Sequence, residues 1–562
     1  MSMIEAFPPG LILIIGSLII PFLNGVLQKL WILILPLLVL FLVCSIPIDS
    51  ITYVSFLDYI LIPVAGDELS RLFAIIFSIM AFGGGLYALN HYRNLEITAA
   101  FIYAGSAIGV AFAGDLLTLF LFWEFMAIGS TTILITSGSQ QALNAAMRYL
   151  IIHVLGGSIL LFGIIAHISG SGDLTFAEMQ LNTLATWLML TGFLINAAAI
   201  PFSAWLPDAY PEASPGGMVF LSAFTTKTAV YVLIRGFPGT DILIYIGLGM
   251  VFYGIIYALL ENDMRRILAY SIVNQVGFMI TGIGIGNEMA LNGAAAHAFT
   301  HIIYKALLLM SAGSVLMMTG KRKCSDLGGL FHSMPLTTIC GIIGALSISS
   351  FPLTSGFISK TMISQAAADE TLVLVYFLLA AASAGVFLHA GIKFPWFVFF
   401  QKDSGLRPPD PPLNMKIAMV FFAVLCIAIG VFPGLFYELL PYSVNYNPYK
   451  GTKVLGTLQL LMFSGLAFFI CLPLMKRTLT ISLDVDWIYR RALPITTISI
   501  VKFLKPLDVI VRKFFITKFK KSNSLVQRYA QPSGAWARTL LAGSMVYWAI
   551  TLLMVYLLLH LI

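Results

Sequence analysis

The sequence predicts an all-α fold, a polytopic transmembrane helical bundle, and three observations lead there. The 562 residues are 59% hydrophobic and only 10% charged, whereas a soluble chain carries about 25% charged residues. Mean hydropathy is +0.94. Apolar runs of bilayer length, about 20 residues each, recur from one end of the chain to the other. So little charge cannot cover the surface of several soluble domains. In hydrocarbon, long apolar runs satisfy their backbone only as helices.

The elements follow in chain order. Apolar runs read as helices near 10–27, 30–47, 71–90, 97–113, 116–137, 144–169, 184–200 and 215–236. Further runs lie near 241–260, 267–286, 289–318, 336–368, 371–400, 413–432, 454–475 and 539–562, which makes about 16 spans. The opening MSMIEAFPPG has neither the basic region nor the small-residue cleavage site of a signal peptide, so the first run is expected to be a retained helix. Lys29, Arg93, Arg148, Arg265 and Arg266, the run Lys321–Arg322–Lys323, Lys402 with Arg407 and the tract after Lys476 fall on one side of this layout. Asp49, Asp67, Glu68, Asp173, Glu178, Glu288, Asp369 and Glu370 fall on the other; Arg71, Arg235, Lys450 and Lys453 are the exceptions. Basic loops mark the cytoplasmic side, which predicts an even number of spans with both termini outside.

Two spans are interrupted by proline. LTGFLINAAAIPFSAWLPDAYPEASP breaks at Pro201 and ALSISSFPLTSGFISKTMI at Pro352. Proline removes a backbone donor and clashes with the preceding turn. The carbonyls it frees are tolerated at membrane depth only where protein or water satisfies them. Paired interruptions about 150 residues apart point to inverted repeats around an ion site, here two five-helix units. The alternative is two unrelated packing kinks. These marks divide the chain into N-terminal helices (1–96), a first repeat (97–236), a second repeat (241–400), C-terminal helices (401–475), a basic segment (476–538) and a final helix (539–562).

A charge at the bilayer centre costs about 2.5–3.5 kcal/mol even on insertion scales, so each buried one needs a reason. Glu124 lies mid-span in LTLFLFWEFMAIGST and Lys227 in VFLSAFTTKTAVYVLIRG. His297, His301 and Lys305 are four residues apart in AAAHAFTHIIYKALLLM and line one helix face. Lys360 follows the second break in TSGFISKTM. Burial penalises the charged form of lysine and glutamate alike, which brings both toward proton exchange. A file of such groups joined by water is what a proton path needs. For His153, and for Lys393 near a helix end, an interior ion pair or a bond to a backbone carbonyl is the favoured reading.

Several chemistries are excluded. Cys44, Cys324, Cys340, Cys426 and Cys471 form no CxxC pair and have no nearby histidine set, against iron–sulfur clusters, structural zinc and a disulfide framework. No GxGxxG after a strand and no Walker A sequence appears. No metal site, cofactor site or catalytic residue is expected.

FLFWEFMAIGS, PFSAWLPDAYPEASP, AFTTKTAVYVLIR, ENDMRRILAYSIVNQVGFM, HAFTHIIYKALL and LTSGFISK occur here in the order of one family. Over roughly 70–430 the chain resembles the antiporter-like membrane subunits shared by respiratory complex I and the Mrp-type multisubunit Na+/H+ antiporters, and looks most like the D-type Mrp subunit. The resemblance implies a proton- and cation-translocating component of a bacterial cytoplasmic-membrane complex, working with other membrane subunits. It also implies ion-path roles for Glu124, Lys227, His297, His301, Lys305 and Lys360, on repeats broken at Pro201 and Pro352. One position departs: family members carry a lysine where this chain has Asn196, and that lysine partners the glutamate. Asn196 cannot titrate, so Glu124 is expected to protonate more easily unless Arg148, His153 or Lys227 stands in. The usual histidine of the PFHxW motif is Ser203.

The basic segment 476–538 holds thirteen Lys/Arg against Asp484, Asp486 and Asp508, a charge of +10 that leaves the rest of the chain at −3. Phe503, Leu507, Ile510, Phe514 and Phe515 recur at near-helical spacing among those charges. The pattern predicts amphipathic helices at the cytoplasmic interface, drawn to anionic lipid. Nucleic acid is excluded as a partner because no reading module accompanies the charge. Other readings stay open beside the antiporter: a proton-pumping component of a complex I-like or hydrogenase-type complex, a structural paralogue impaired at Asn196, and an independent solute transporter.

Overall fold

The computed structural model describes residues 7–57, 59–91, 93–473, 484, 487–530 and 542–561. The chain divides into two compact units, Met1–Asp486 and Trp487–Ile562. The first opens with α1 (Pro9–Ser17) and α2 (Gly25–Ser45), separated by a 3₁₀ turn at Ile20–Phe22. The single helix expected near 10–27 is therefore two elements. Pro21 removes a helical donor and Leu23 turns extended, so the second helix starts earlier than its apolar run. A hairpin that the hydropathy reading lacks follows, β1 (Ile51–Phe56) antiparallel to β2 (Tyr59–Ala65). Its β-branched and aromatic residues suit a strand.

Next come α3 (Glu68–Ala88), α4 (Asn94–Phe112), α5 (Leu116–Thr136) and α6 (Gln140–Ser171). Side-chain caps fix several starts: Asp67 accepts from the Ser70 amide at 2.7 Å and Asp115 from the Thr118 amide at 2.8 Å. The chain continues as α7 (Leu184–Asn196), α8 (Trp205–Ala209), α9 (Pro215–Leu221) and α10 (Thr225–Gly236). It then forms α11 (Ile242–Leu260), α12 (Met264–Ile285), α13 (Glu288–Thr319), α14 (Pro335–Ile348), α15 (Ser355–Asp369) and α16 (Val373–Val386). Two π-helical stretches, Phe387–Lys393 and Trp396–Phe400, carry α16 onward, so the run expected at 371–400 is not uniform α-helix. The unit ends with α17 (Leu413–Val431), α18 (Pro433–Tyr437) and α19 (Gly451–Ile470).

Twelve described helical segments are long and apolar enough to cross a bilayer, and shorter apolar helices lie at 9–22, 184–196, 335–348 and 545–556. The α9–α10 segment and α12 are buried throughout, with α13 largely so. Lys227 lies on the first of these three and His297, His301 and Lys305 on the last, while α2, α6 and α19 turn much of their apolar surface outward.

The second unit holds α20 (Leu493–Ala530) and α21 (Ala542–Leu561). No residue of α20 is buried. Helical periodicity puts Phe503, Leu507, Ile510 and Phe514 on one face, and Lys502, Lys505, Arg512 and Lys513 on another. The parts of the basic segment at 476–483, 485–486 and 531–538 lie outside the described residues. Asp484 is described: both Tyr253 and Tyr270 donate to its carboxylate, at 2.7 Å each for the shorter bonds.

Candidate ion path

Three helix interruptions organise the buried charges. After α7 the backbone leaves the helix, with Ala198 at φ +58° and a cis Ile200–Pro201 peptide. Trp205 Nε1 donates to the Ile195 carbonyl at 3.0 Å, beside the Ala198 amide that also bonds it. Between α14 and α15, Ser350 and Leu353 take φ values of +61° and +66°. Both of these breaks carry the prolines that the sequence marks.

The third, between α9 and α10, contains no proline, so the helix expected at 215–236 is broken where none was expected. Its cause is Tyr103 on α4. The Tyr103 hydroxyl donates to the Leu221 carbonyl at 3.3 Å and accepts from the Thr225 amide at 2.8 Å. Those two backbone groups would otherwise pair with each other in an α-helix. A side chain inserted into the ladder in this way interrupts it.

Each break serves a neighbouring group with a carbonyl. Lys227 is fully buried and its Nζ donates to Ser222 O at 2.7 Å and Thr226 Oγ1 at 3.0 Å. Lys360 is 2% exposed, and its Nζ donates to Ile348 O, the last residue of α14, at 2.7 Å. The same ammonium stands 4.8 Å from the Phe278 ring centroid. A carbonyl without an intrahelical partner is a strong acceptor, and a hydrogen-bonded dipole offsets part of the cost of burying the lysine.

Between these lysines runs α13. His297, His301 and Lys305 are all fully buried on it. His297 Nε2 lies 3.0 Å from Gln275 Oε1, and Nδ1 lies 2.9 Å from Ser359 Oγ. Gln275 Nε2 in turn donates to Asn274 Oδ1 at 2.5 Å. With that amide orientation, Nε2 carries the proton of neutral His297 and Nδ1 accepts from Ser359. Neither ring nitrogen of His301 has a hydrogen-bond partner among the described residues, and its ring meets Tyr304 edge-on at 5.2 Å. Lys305 Nζ donates to Leu268 O on α12 at 3.2 Å. His301 lies within the electrostatic reach of Lys227, His297, Lys305 and Lys360. The structure thus brings together five of the predicted groups.

Glu124 stands apart from them. It is partly exposed, and its Oε1 lies against α6, where a Cβ built on Gly157 would come within 2.1 Å of it. It forms no ion pair among the described residues, and neither Arg148, His153 nor Lys227 takes the missing lysine's place. Arg148 holds Asp208 through Nε at 2.7 Å and Nη2 at 2.9 Å. His153 stacks on Tyr149 at 3.9 Å, and Lys227 is bound at its own break. Asn196 is 1% exposed, and its Oδ1 has no partner among the described residues.

Other groups escaped sequence reading. Gln275 and Ser359, which fix His297, are polar residues inside apolar runs and carry only that weak signal. His389 in the first π-helical stretch is fully buried, with Nδ1 2.9 Å from Gly385 O, and lies within electrostatic reach of Lys305. Lys393 donates to the carbonyls of Ala258, Leu259 and Glu261, capping the end of α11. That agrees with the structural role favoured for it. At the start of α12, Arg265 donates to Ala213 O at 2.8 Å and Ser214 O at 3.0 Å, and outside the spans Arg322 bridges Glu212 at 2.9 Å and Asp263 at 2.6 Å. Burial pushes the Asp263 carboxyl above its ordinary range against the pull of Arg322.

Comparison with known proteins places this geometry. The family described as NADH:quinone oxidoreductase/Mrp antiporter, transmembrane, matches residues 113–387. The chain is 28% identical over 423 residues to a probable K(+)/H(+) antiporter A/B subunit of Rhizobium meliloti (strain 1021), covering 70% of this chain and 41% of that protein. It therefore spans less than half the length of that relative. It is 29% identical over 352 residues to the D subunit of the Na(+)/H(+) antiporter of Alkalihalophilus pseudofirmus (strain ATCC BAA-2126 / JCM 17055 / OF4), covering 59% of this chain and 71% of that one. A chain in the structure of the Mrp complex from Dietzia sp. DQ12-45-1b shares the fold, with a TM-score of 0.69 and 21% identity over 78% of this chain and 96% of that one. The matched span holds both proline breaks, the Tyr103-wedged break and every lysine of the buried file. Residues 113–387, just under half of the chain, thus match the NADH:quinone oxidoreductase/Mrp antiporter transmembrane family.

Proposed function

We propose that this chain is a proton- and monovalent-cation-translocating membrane subunit of a multisubunit Na+(K+)/H+ antiporter, of the D-type Mrp kind. The observation that carries the reading is the file of buried bases: Lys227 and Lys360 each bond a carbonyl released by a helix break, with His301 and Lys305 between them. Each lysine holds a proton against a fixed dipole. Protonating one raises the cost of protonating the next, and that repulsion advances charge along the file. His297, tied to Gln275 and Ser359, relays protons within it.

The layout proposed with this function has 16 crossings in a bacterial cytoplasmic membrane. Two inverted five-helix repeats, 97–236 and 241–400, flank the file, with the basic loops inside and both termini outside. The left-handed residues ahead of Pro201 and Pro352 support the correspondence of the repeats. Glu124 belongs to the first half-path and acts without the lysine that Asn196 replaces. The basic face of α20 supports contact with anionic lipid, and the other subunits of the complex are the protein partners. A redox-driven complex is the second reading, favoured by the quinone oxidoreductase branch of the same family description.

Purifying the whole complex from its native membrane and imposing a pH gradient on sealed vesicles separates the two. The antiporter reading predicts Na+ or K+ flux that follows the gradient. Co-purification of a redox module, with no cation flux, would favour the alternative.

A further inference from the structure

Lys360 does not end in solid protein. A cavity of about 590 Å³ runs between α15, α16 and α19, with Lys360 among its walls and Lys453 of α19 on its lining. Hydroxyl groups furnish much of the remaining polar surface, including Ser350, Ser364, Ser383 and Thr457. Among the described lining residues there is no carboxylate. Ser350 is 3% exposed, and its Oγ has no hydrogen-bond partner among the described residues. A buried hydroxyl on the wall of a cavity this roomy, beside an ammonium group and further hydroxyls, is a site for water.

Lys453 is held in place. Its Nζ donates to Gln365 Oε1 and stands 5.2 Å from the Tyr446 ring centroid. Gln365 is itself anchored through Nε2 to Asp369 Oδ1 at 2.5 Å. The charged groups within reach of Lys453 outside the cavity are Asp369 and Lys450. An alkali cation entering here would meet fixed positive charge and no carboxylate to replace its hydration shell, whereas hydroxyls and water suffice to pass a proton.

We infer that this cavity is a proton-selective vestibule, connecting Lys360 to water on the side of the Asp369–Glu370 loop, with Lys453 as the residue that excludes Na+ and K+. The inference rests on reading Lys360 as a proton carrier. It adds a specificity residue on α19, outside the span that matches the family.

Thiol labelling tests the vestibule without relying on transport. In membranes holding the whole complex, the exposed Cys44 and the partly exposed Cys471 are replaced by serine and Ser364 by cysteine. Impermeant methanethiosulfonates, one anionic and one cationic, are added from the Asp369–Glu370 side. The anionic reagent should react faster, and Lys453→Glu should shift the ratio of the two rates by roughly tenfold or more toward the cationic one. Lys453→Gln should give an intermediate shift and serves if the glutamate variant does not assemble, and Lys453→Arg should leave the ratio unchanged. No labelling by either reagent, or a ratio indifferent to residue 453, overturns the inference. Anion-preferring labelling beside unaltered exchange in Lys360→Ala would keep the vestibule and discard Lys360 as the carrier.

Discussion

The hydroxyl of Tyr103 accepts a 2.8 Å hydrogen bond from the amide of Thr225, 122 residues away in the chain. By taking that amide, and giving its own proton to Leu221 O, it opens the helix immediately before Lys227. Tyr103→Phe should let the Leu221–Thr225 backbone pair close. The variant should stay within about 1 kcal/mol of wild type, because a backbone bond replaces the side-chain ones. Closing the helix draws Ser222 O back into the ladder and takes it from Lys227, so ion exchange should fall at least tenfold. Normal exchange with the Thr225 amide newly protected from hydrogen exchange would separate the break from function.

At the second break the limit is steric. A Cβ on Gly356 would lie 1.9 Å from Ser347 O, a backbone atom that cannot swing aside. Gly356→Ala should force α14 and α15 apart and cost about 1–3 kcal/mol or more. A loss of thermal stability in detergent would register this. Gly434→Ala, where nothing lies within 4 Å, should leave stability unaltered.

The two histidines of α13 should respond differently to substitution. His297 joins Gln275 and Ser359, so His297→Ala leaves buried partners unsatisfied and should lose about 1–3 kcal/mol. His301 has no hydrogen bond to lose among the described residues. His301→Leu, which fills the same space, should keep its melting temperature and lose transport. Equal stability losses in both variants would argue against the distinction.

Glu124, without a lysine partner, gives an optical test. Asn196→Lys should shift the infrared carboxyl signature of Glu124 toward that of a carboxylate. Identical difference spectra with and without the new lysine would show that the two side chains do not interact.

How far the sequence could be read depended on the range of each cause. Pro201 and Pro352 break their helices locally, and the four-residue spacing of His297, His301 and Lys305 sets their common face, so both were legible. The break before Lys227 was not, because its cause is a tyrosine on a distant helix and no residue between 221 and 225 marks it. The hairpin at 51–65 is apolar enough to pass for an undecided run between spans. Glu124 and Lys227 looked equally central to a path, yet only Lys227 joins the file, since partnership is a matter of packing between helices. His389 and the vestibule at Lys360 depend on a π-helical stretch and on α19, neither of which a hydropathy pattern specifies.

The file itself is tested most directly at its centre. Lys305→Ala, in vesicles containing the whole complex, should reduce pH-gradient-driven cation exchange at least tenfold while the complex still assembles, with Lys227→Ala and Lys360→Ala doing the same. Exchange at the wild-type rate in all three variants would contradict the account.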